Sequence, residues 1–342
     1  MEQTLTENSY EDLVLKTELA EHGPVKGTMV IRPYGYAIWE AIQGELDRRI
    51  KTVLGGKNAY FPLFIPEELI KREKEHVKGF SPELAVVTHA GGKKLAEPLI
   101  VRPTSETVIG ASFHKWIKSY RDLPLIINQW ANIVRWELRT RMFLRTSEFL
   151  WQEGHSAHAT EDEASALSRK ALEMYERFIK EFLAIPGVSG TKSESERFAG
   201  ATVTYTLEGL MRDGKALQLA TSHELGQHFA RSFGTEFADQ KGGRQTPYQT
   251  SWGASTRLIG AIILAHSDER GLRLPPGVAP VQVVIVPINP DSLIRRAVAK
   301  LGEELTARGI RFHVDERDET PGFKFNYWEQ KGAPLRVEIG PR

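Results

Sequence analysis

Residues 134–158, VRWELRTRMFLRTSEFLWQEGHSAH, hold two stretches whose side chains alternate with the period of a β-strand. The alternation in VRWELR divides charged from apolar side chains: Arg135, Glu137 and Arg139 fall on one face, and Trp136 and Leu138 fall on the other. The run EFLWQEGH resumes the alternation and puts four side chains on one face: Phe149, Trp151, Glu153 and His155. Because the intervening RTRMFLRTS is polar enough to turn, the segment predicts an antiparallel β-hairpin.

This hairpin admits two interpretations. Cross-strand ion pairs on a protein surface would account for the charges, but they do not call for two tryptophans and two phenylalanines. A buried arginine and glutamate on one face would cost several kcal/mol unless a ligand or partner completes their charges. Since the planar guanidinium group suits phosphates and carboxylates, the pattern favours a binding site for an anion.

Composition limits what else the chain can be. Its 342 residues suffice for about two domains, at ~150 residues each. With 45 Lys and Arg against 44 Asp and Glu, only local clusters can attract a polyanion. The absence of cysteine excludes disulfides and thiolate chemistry and fits a reducing compartment. The acidic N-terminus is no signal peptide and no apolar run approaches the ~20 residues of a membrane span, so we expect a cytoplasmic protein without membrane contact.

Periodicity also predicts the other elements of the first part of the chain. Residues 38–53 have apolar positions at helical spacing, and the AYFPLFIP run after them predicts an edge strand because of Pro62 and Pro66. A second amphipathic helix begins after VRPTSETV, which leaves PTSE in the loop at its start. Further predictions are listed in chain order: a solvent-facing helix over 161–183, strands over 215–223 and 247–255, and a helix from Ser255 or Thr256.

The segment LPPGVAP, residues 274–280, predicts a domain boundary because four of its residues are Pro or Gly. Beyond it, the strand VQVVIVPI, a helix over 291–308, the strand GIRFHVDE, another helix and the strand PLRVEIG give a βαβαβ order. This order predicts a small parallel or mixed sheet. Because the domain is short and the chain stops directly after a strand, we expect a piece of a longer protein.

HELGQH, residues 223–228, is similar to the zinc peptidase pattern HExxH. The second histidine of that pattern is replaced by Gln227, and His228 comes one position later, on a different part of a helix. The GGK stretches lack the Ser or Thr and the upstream glycine of a P-loop, and VQVVIVPINP lacks the glycines of a dinucleotide-binding strand. A zinc peptidase therefore remains only as an alternative that predicts bound zinc.

The segment RWE followed by FLRTSEFLWQEGH resembles motif 2 of the prolyl-tRNA synthetases, which are class II aminoacyl-tRNA synthetases. Other segments resemble the family in the same order: RPYGYAIWEAI, the 38–53 helix with AYFPLFIP (motif 1), RPTSET (amino-acid-binding loop), TSHELGQ, and SWGASTRLIGAII (motif 3). The resemblance covers nearly all of the chain. The terminal βαβαβ unit resembles the start of the family's anticodon-binding domain.

The resemblance implies an α+β fold, with a class II catalytic domain over residues 1–275 and an incomplete α/β anticodon-binding domain over 276–342. It also implies ATP-dependent activation of L-proline to prolyl-adenylate, followed by transfer to tRNA(Pro). Proline's own carboxylate attacks the α-phosphorus, so catalysis rests on positioning and on neutralising phosphate charge. Mg²⁺ would be held mainly by ATP rather than in a dedicated metal site.

Two more implications concern assembly and subtype. Motif 1 forms the dimer interface of this class, so we expect a homodimer in which the 38–53 helix and Pro62 take part. The spacing between motifs 2 and 3 leaves no room for a large inserted editing domain, as in the archaeal and eukaryotic-like type. A synthetase-like binding protein without ligase activity is a further alternative, but Arg135, Glu106 and Arg257, whose loss would have indicated it, are all present.

The resemblance gives Arg135 and Arg257 as catalytic residues; the second lies at a helix start, where the dipole favours an anion. The implied proline-binding residues are Thr104, Glu106, Arg135, Trp151, Glu153, His155, Phe198 and His223. The implied ATP-binding residues are Arg135, Glu137, Arg145, Thr146, Gln218, Thr221, Ser255 and Arg257. Glu106 is the expected acceptor for proline's secondary amine. Without the resemblance, hairpin packing or ordinary strand polarity would explain Trp151, His155, Gln218 and Thr221 as well. Arg139 and Arg141 stay open between solvent, the tRNA acceptor end and catalysis.

Overall fold

A computed structural model describes residues 7–76 and 84–341 of the chain. The N-terminal elements are α1 (Glu7–Lys16), β1 (Ala20–His22), β2 (Met29–Ile31), α2 (Pro33–Arg49), β3 (Lys57–Asn58), β4 (Phe64–Pro66), α3 (Glu67–His76), β5 (Val86–Ala90), β6 (Lys93–Val101) and α4 (Glu106–Trp116). The central elements are β7 (Leu125–Val134), β8 (Glu148–His158), α5 (Glu161–Phe182), β9 (Gly187–Thr191), β10 (Val203–Leu210), β11 (Ala216–Gly226), α6 (His228–Ser232), β12 (Phe237–Ala238), β13 (Arg244–Gln245), β14 (Tyr248–Ser255) and α7 (Arg257–His266). The C-terminal elements are β15 (Val283–Pro287), α8 (Ser292–Ala307), β16 (Phe312–Val314), α9 (Pro321–Lys331) and β17 (Leu335–Ile339).

A seven-stranded sheet in the order β3-β7-β8-β14-β11-β10-β9 forms the centre of the first domain. All of its neighbours pair antiparallel except β3 and β7. Helix α5 covers one face, where the Tyr175 hydroxyl donates to Oε1 of Gln152 on β8 at 2.5 Å. Since side chains alternate along a strand, the odd-numbered residues of β8 are directed to the opposite face. That face carries the cavity described below.

The predicted 38–53 helix is confirmed, although it begins earlier. Helix α2 starts at Pro33, whose fixed φ suits the first turn, and it continues as a π-helical segment, Ile50–Leu54. Gly55 ends it with a φ of +72°, a conformation that glycine adopts without a steric penalty. The edge strand predicted in AYFPLFIP is confirmed for its last three residues, since β4 lies at the edge of the three-stranded sheet β4-β6-β5, whereas Pro62 precedes the strand.

The strand predicted for VRWELR is wrong. Strand β7 ends at Val134, so Arg135 begins a loop that runs to the first residue of β8. Alternation alone does not make a strand when no neighbour pairs with it, and here Leu138 is 76% exposed. An antiparallel hairpin is present and its second arm is the predicted one, but its first arm is β7, which pairs with β8 from Leu125 to Val134 and lies before the predicted VRWELR.

Other predicted elements agree with the structure, with changes at their boundaries or burial. The 161–183 helix is α5, but only one of its faces meets solvent, because residues such as Tyr175 and Phe178 are fully buried. The two strands predicted over 215–223 and 247–255 are β11 and β14, and the helix after them is α7. The helix after PTSE is α4, which already begins at Glu106.

The C-terminal elements form a separate three-stranded sheet in the order β16-β15-β17. Both pairings are parallel, as expected from the βαβαβ order. A core that includes Val283, Ile285 and Ile294 lies between this sheet and α8. Within residues 7–76 and 84–341, no helix is long and apolar enough to cross a bilayer.

Candidate active site

A cavity of about 230 Å³ opens on the sheet face opposite α5. Its walls come from β8, β11, β14, the start of α4, the segment after β9 and the start of α7. The predicted site residues that line it are Thr104, Glu106, Arg135, Trp151, Glu153, His155, Phe198, Gln218, Thr221, His223, Ser255 and Arg257. Residues from distant parts of the sequence thus converge on one concave site, as the resemblance implies.

Strand β8 supplies one wall through the face predicted by its alternation. Phe149, Trp151, Glu153 and His155 all line the cavity. Gly154, between two of them, points to the other face, where Trp252 of β14 packs directly against it. The period-two prediction for EFLWQEGH is therefore confirmed in its geometry.

Glu153 is buried and accepts hydrogen bonds from three side chains. Ser105 Oγ and Gln129 Nε2 donate to Oε1 at 2.5 and 2.8 Å, and Nε2 of His155 lies 3.0 Å from Oε2. Burial alone would raise the pKa of Glu153. The hydrogen bonds from His155, Ser105 and Gln129 and the charge of His155 outweigh burial, and the net effect is a lowered pKa. Burial lowers the pKa of His155, and the Glu153 and Glu106 carboxylates overcome this, so that its pKa is raised. Both shifts favour the charged forms of the pair, a buried carboxylate facing an imidazolium.

Glu106 is a second buried carboxylate, at the first turn of α4, where the helix dipole stabilises negative charge. Its Oε2 accepts a hydrogen bond from Thr104 Oγ1. Among the described residues no hydrogen bond reaches its Oε1. Unlike Glu153, this carboxylate keeps an acceptor for a ligand in the cavity.

Arg135 follows β7 and enters the cavity between two aromatic rings. Its Nε donates to the Pro103 carbonyl at 3.0 Å, and its Cζ lies 5.7 and 5.6 Å from the ring centroids of Phe149 and Trp151. Burial lowers the pKa of Arg135, partly offset by nearby carboxylates. No hydrogen bond from the described residues occupies its terminal amino groups, which leaves them to bind an anion.

Arg257 is the first residue of α7, and its Nε donates to the Leu144 carbonyl at 3.1 Å. Its pKa is lowered by burial and by the positive charges of Arg135 and Arg145, with Glu137 opposing. Two arginines from different elements thus repel each other across one site. An anion bound between them would relieve that repulsion.

Three predicted ATP-binding residues do not line the cavity: Glu137, Arg145 and Thr146. Arg145, exposed on the loop, donates from Nε to Glu137 at 2.7 Å. Thr146 is buried, and its Oγ1 donates to the Glu148 carbonyl at 2.7 Å.

Arg141, whose role the sequence left open, stacks its guanidinium on Tyr10 with Cζ 4.4 Å from the ring centroid.

The wall opposite β8 pairs Phe198 with His223, whose ring centroids lie 4.7 Å apart. Burial, with the charges of Lys192 and His155, lowers the pKa of His223 to about 3. The cavity also contains residues that sequence reasoning missed: Lys192, Glu196, Thr204, Leu219, Ala220, Ser251, Trp252, Gly253 and Ala254, together with Phe149, which was placed on this face without a role. Ser251 could have been found, because it lies four residues before Ser255 on the same strand and therefore on the same face.

Two family matches account for most of the chain. Residues 90–266 match the tRNA synthetase class II core domain (G, H, P, S and T), and residues 282–342 match the anticodon binding domain. The proline–tRNA ligase of Frankia alni is 58% identical over 335 residues, which make up 97% of this chain and 71% of that relative. The chain belongs to the proline–tRNA ligase family.

Solved structures agree with this assignment. Crystal structures of prolyl-tRNA synthetase from Cryptosporidium parvum, one with halofuginone and AMPPNP and one with L-proline and AMP, match this chain with TM-scores of 0.92 and 0.90 at 46% identity. Each match covers 97% of this chain and 68% or 67% of the other. The predicted fold, a class II core with an anticodon-binding domain, and the predicted ligase activity are confirmed.

The zinc peptidase alternative is wrong. His223 lies in strand β11, and His228 opens the separate helix α6, so the two histidines do not share a helix as HExxH requires. Within residues 7–76 and 84–341, no group of three or more His, Cys, Asp and Glu side chains could hold a metal ion.

Proposed function

We propose that the cavity performs proline activation with Arg135 and Arg257 as its catalytic residues. The observation that carries the proposal is the convergence of these two guanidinium groups on a cavity that also holds the Glu106 carboxylate. A zwitterionic amino acid has a positive amine for the Glu106 carboxylate and a negative carboxylate for an arginine. The triphosphate of ATP adds several negative charges for the two arginines. The site thus offers a matched set of charges for both substrates.

Proline would bind with its protonated secondary amine at Glu106. Thr104 donates to one oxygen of this carboxylate and orients it, while the aromatic rings of Trp151 and Phe198 form walls for a small apolar ring. Glu153 and His155 would form part of the proline pocket without binding the charged groups of proline, since they already bind each other. The His223 ring completes the wall beside Phe198.

The chemical step needs no enzymic nucleophile. The proline carboxylate attacks the α-phosphorus of ATP, a bond forms between carboxylate oxygen and phosphorus, and the bond to the pyrophosphate leaving group breaks. Arg135 would bridge the carboxylate and the α-phosphate, which brings two negative groups together in an orientation for in-line attack. Arg257, at the positive end of α7, would stabilise negative charge on the phosphates.

The remaining ATP contacts follow the same face of the sheet and the adjoining loop. Gln218, Thr221 and Ser255 line the cavity, and we propose that they meet the nucleotide there. Glu137, Arg145 and Thr146 would reach it from the loop. Mg²⁺ would be held mainly by phosphate oxygens and water, because Glu153 already accepts three hydrogen bonds and Glu106 accepts one from Thr104.

The second step transfers the prolyl group to tRNA(Pro), which the C-terminal domain would hold by its anticodon. Arg139, exposed on the loop that follows Arg135, would offer a positive charge to the acceptor end. We place the reaction in the cytoplasm, where ATP, proline and tRNA are available together.

We also propose that the protein is a homodimer through the motif 1 region. The apolar face of α2, with Ile42 and Leu46, is buried in its own core, so a partner would meet another surface. Next to Pro62, the large side chains of Tyr60 and Phe64 are 72% and 48% exposed, as expected at an interface. Sedimentation analysis of the wild type and of Phe64→Glu tests this proposal: the variant should shift toward monomer, and a monomeric wild type would contradict it.

Proline-dependent exchange of pyrophosphate into ATP tests the site. Arg135→Ala and Arg257→Ala should each lower the exchange rate by at least about 100-fold, the range seen when one preorganised donor to a transition state is removed. Arg135→Lys should recover little, because an ammonium group cannot contact two oxygens in the same fork geometry. Arg177→Ala, an exposed arginine on α5, serves as the matched control. Folded Arg135→Ala protein with normal exchange would refute the proposed role.

A further inference from the structure

Thr204 joins two segments that line the cavity. It lies on β10 directly opposite His223 of β11. Its Oγ1 lies 3.0 Å from Nδ1 of His223 and accepts a 3.0 Å hydrogen bond from the backbone N–H of Phe198. The side chain is only 2% exposed, so these two groups, rather than bulk water, are its partners.

The positions of the protons follow from these contacts. A threonine hydroxyl has one proton to donate and two lone pairs to accept with. The Phe198 N–H can only donate, so it occupies a lone pair, and the hydroxyl proton then needs an acceptor. Among the described residues, Nδ1 of His223 is the acceptor within reach. This nitrogen therefore carries no proton, and the proton of the neutral ring sits on Nε2.

We infer that Thr204 is a positioning residue that holds His223 as its neutral Nε2–H tautomer, so that this ring offers a fixed hydrogen-bond donor to the amino-acid substrate. The inference rests on the proposed function, in which His223 and Phe198 form one wall of the proline pocket. Thr204 acts through both residues at once, because the same hydroxyl fixes the proton of one and the backbone of the other.

The electrostatics of the pocket agree with a neutral ring. The pKa of His223 is lowered to about 3 by burial and by the charges of Lys192 and His155. An imidazolium here would repel the protonated amine that Glu106 is proposed to hold. A neutral ring with an N–H donor instead suits a carboxylate or acyl oxygen of proline and adds no positive charge.

The tautomer is measured directly by ¹⁵N NMR of the histidine-labelled chain without substrates, with the His223 signals identified by their loss in His223→Asn. The wild type should show one protonated nitrogen, Nε2, and one unprotonated nitrogen, Nδ1. Thr204→Val keeps the shape of the side chain but removes the hydroxyl, so it should give a mixture of tautomers. Thr204→Ser keeps the hydroxyl and should restore the wild-type pattern.

Pyrophosphate exchange supplies the functional readout. Thr204→Val should raise the KM for proline about 3- to 10-fold, the equivalent of one neutral hydrogen bond, and leave the KM for ATP nearly unchanged. Thr204→Ser should stay within about twofold of the wild type. Thr206→Val, a buried threonine two residues along the same strand and outside the cavity lining, is the control and should behave as the wild type.

Two results would overturn the inference: a protonated Nδ1 in the wild type, or a Thr204→Val protein in which the tautomer and the KM for proline are both unchanged. If Thr204→Val does not fold, the wild-type spectrum and the Thr204→Ser kinetics still decide. Since the spectrum is recorded without substrates, a chain with the inferred tautomer but without proline-dependent exchange would refute the proposed function alone.

Discussion

The hydroxyl of Tyr10 donates a 2.9 Å hydrogen bond to the backbone carbonyl of Met142, 132 residues further along the chain. Tyr10 lies on α1 and is fully buried, and burial raises its pKa, so the hydroxyl keeps its proton. The same ring supports the guanidinium of Arg141. Helix α1 thus fixes a turn whose Leu144 carbonyl accepts the hydrogen bond from Arg257.

From this contact we predict that Tyr10→Phe weakens ATP binding more than proline binding. The change leaves the Met142 carbonyl without its donor, at a cost of about 1–3 kcal/mol, and loosens the turn that orients Arg257. We expect a lower melting temperature and a KM for ATP raised about 5-fold in pyrophosphate exchange. Tyr36→Phe, a partly exposed tyrosine on α2, is the control. Equal changes in the two KM values would show that α1 does not act through the nucleotide side of the cavity.

The Glu153–His155 pair predicts a stability that depends on pH. The pKa of His155 is raised above 6.5, so its contribution is complete below pH 6.5 and is lost as pH rises through its folded pKa. The pKa of Glu153 is lowered below 4.5, so its contribution is complete above pH 4.5 and is lost as pH falls through its folded pKa. Both contributions are therefore complete together between pH 4.5 and pH 6.5.

We therefore expect the free energy of unfolding of the wild type to exceed that of His155→Gln by the largest margin near about pH 5.5. Urea denaturation of both proteins at about pH 5.5 and about pH 9 measures this margin, which should shrink at the higher pH as the wild-type imidazolium loses its proton. A margin that is the same at both pH values would mean that His155 is neutral throughout and that the pair is an uncharged hydrogen bond.

Gly154 predicts a steric effect on the face of the sheet opposite the cavity. A Cβ atom there would lie 2.2 Å from two ring atoms of Trp252, which is fully buried and cannot move aside freely. We expect Gly154→Ala to destabilise the fold by about 1–3 kcal/mol and to change the tryptophan fluorescence. Gly190→Ala on β9 is a matched strand glycine with open space around it. Thermal denaturation should separate the two variants, and equal melting temperatures would contradict the steric argument.

The parts of the site that the sequence predicted are those where one strand supplies several side chains. Alternation sufficed for Trp151, Glu153 and His155, because β8 is paired on both sides along most of its length and its faces stay fixed. It failed for VRWELR, because membership in a sheet depends on a neighbouring strand, which no local pattern reveals. The true strand, LIINQWANIV, has no comparable alternation of charged and apolar residues.

Residues that act through long-range contacts could not be found in this way. Thr204 reaches the site because β10 pairs with β11, and Lys192 does so because it directly follows β9 and its backbone N–H donates to the Thr204 carbonyl at 2.9 Å. A threonine in a strand and a lysine in a loop carry no local signal of these positions. Arg141 was left open for the same reason, since its partner Tyr10 lies on α1, far away in sequence.

The last prediction concerns Lys331, through which the C-terminal domain contacts the N-terminal segment. Its Nζ donates to the Thr17 carbonyl at 2.7 Å and to Oε2 of Glu18 at 2.6 Å, and it lies 4.8 Å from the ring centroid of Tyr34. The ammonium group is almost fully enclosed, and burial lowers its pKa although Glu18 opposes that change. A buried cation held by two acceptors fixes the position of α9 against the first domain.

We expect Lys331→Met to weaken this contact and to separate the unfolding of the two domains, so that calorimetry shows two transitions where the wild type shows one. Lys300→Met, an exposed lysine on α8, should leave the single transition in place. A double-mutant cycle with Glu18→Gln should give a coupling energy of about 0.5–3 kcal/mol, toward the lower end because Glu18 is 41% exposed and water screens the pair. A coupling near zero with an unchanged transition would show that apolar contacts of α9, rather than this charge, join the domains.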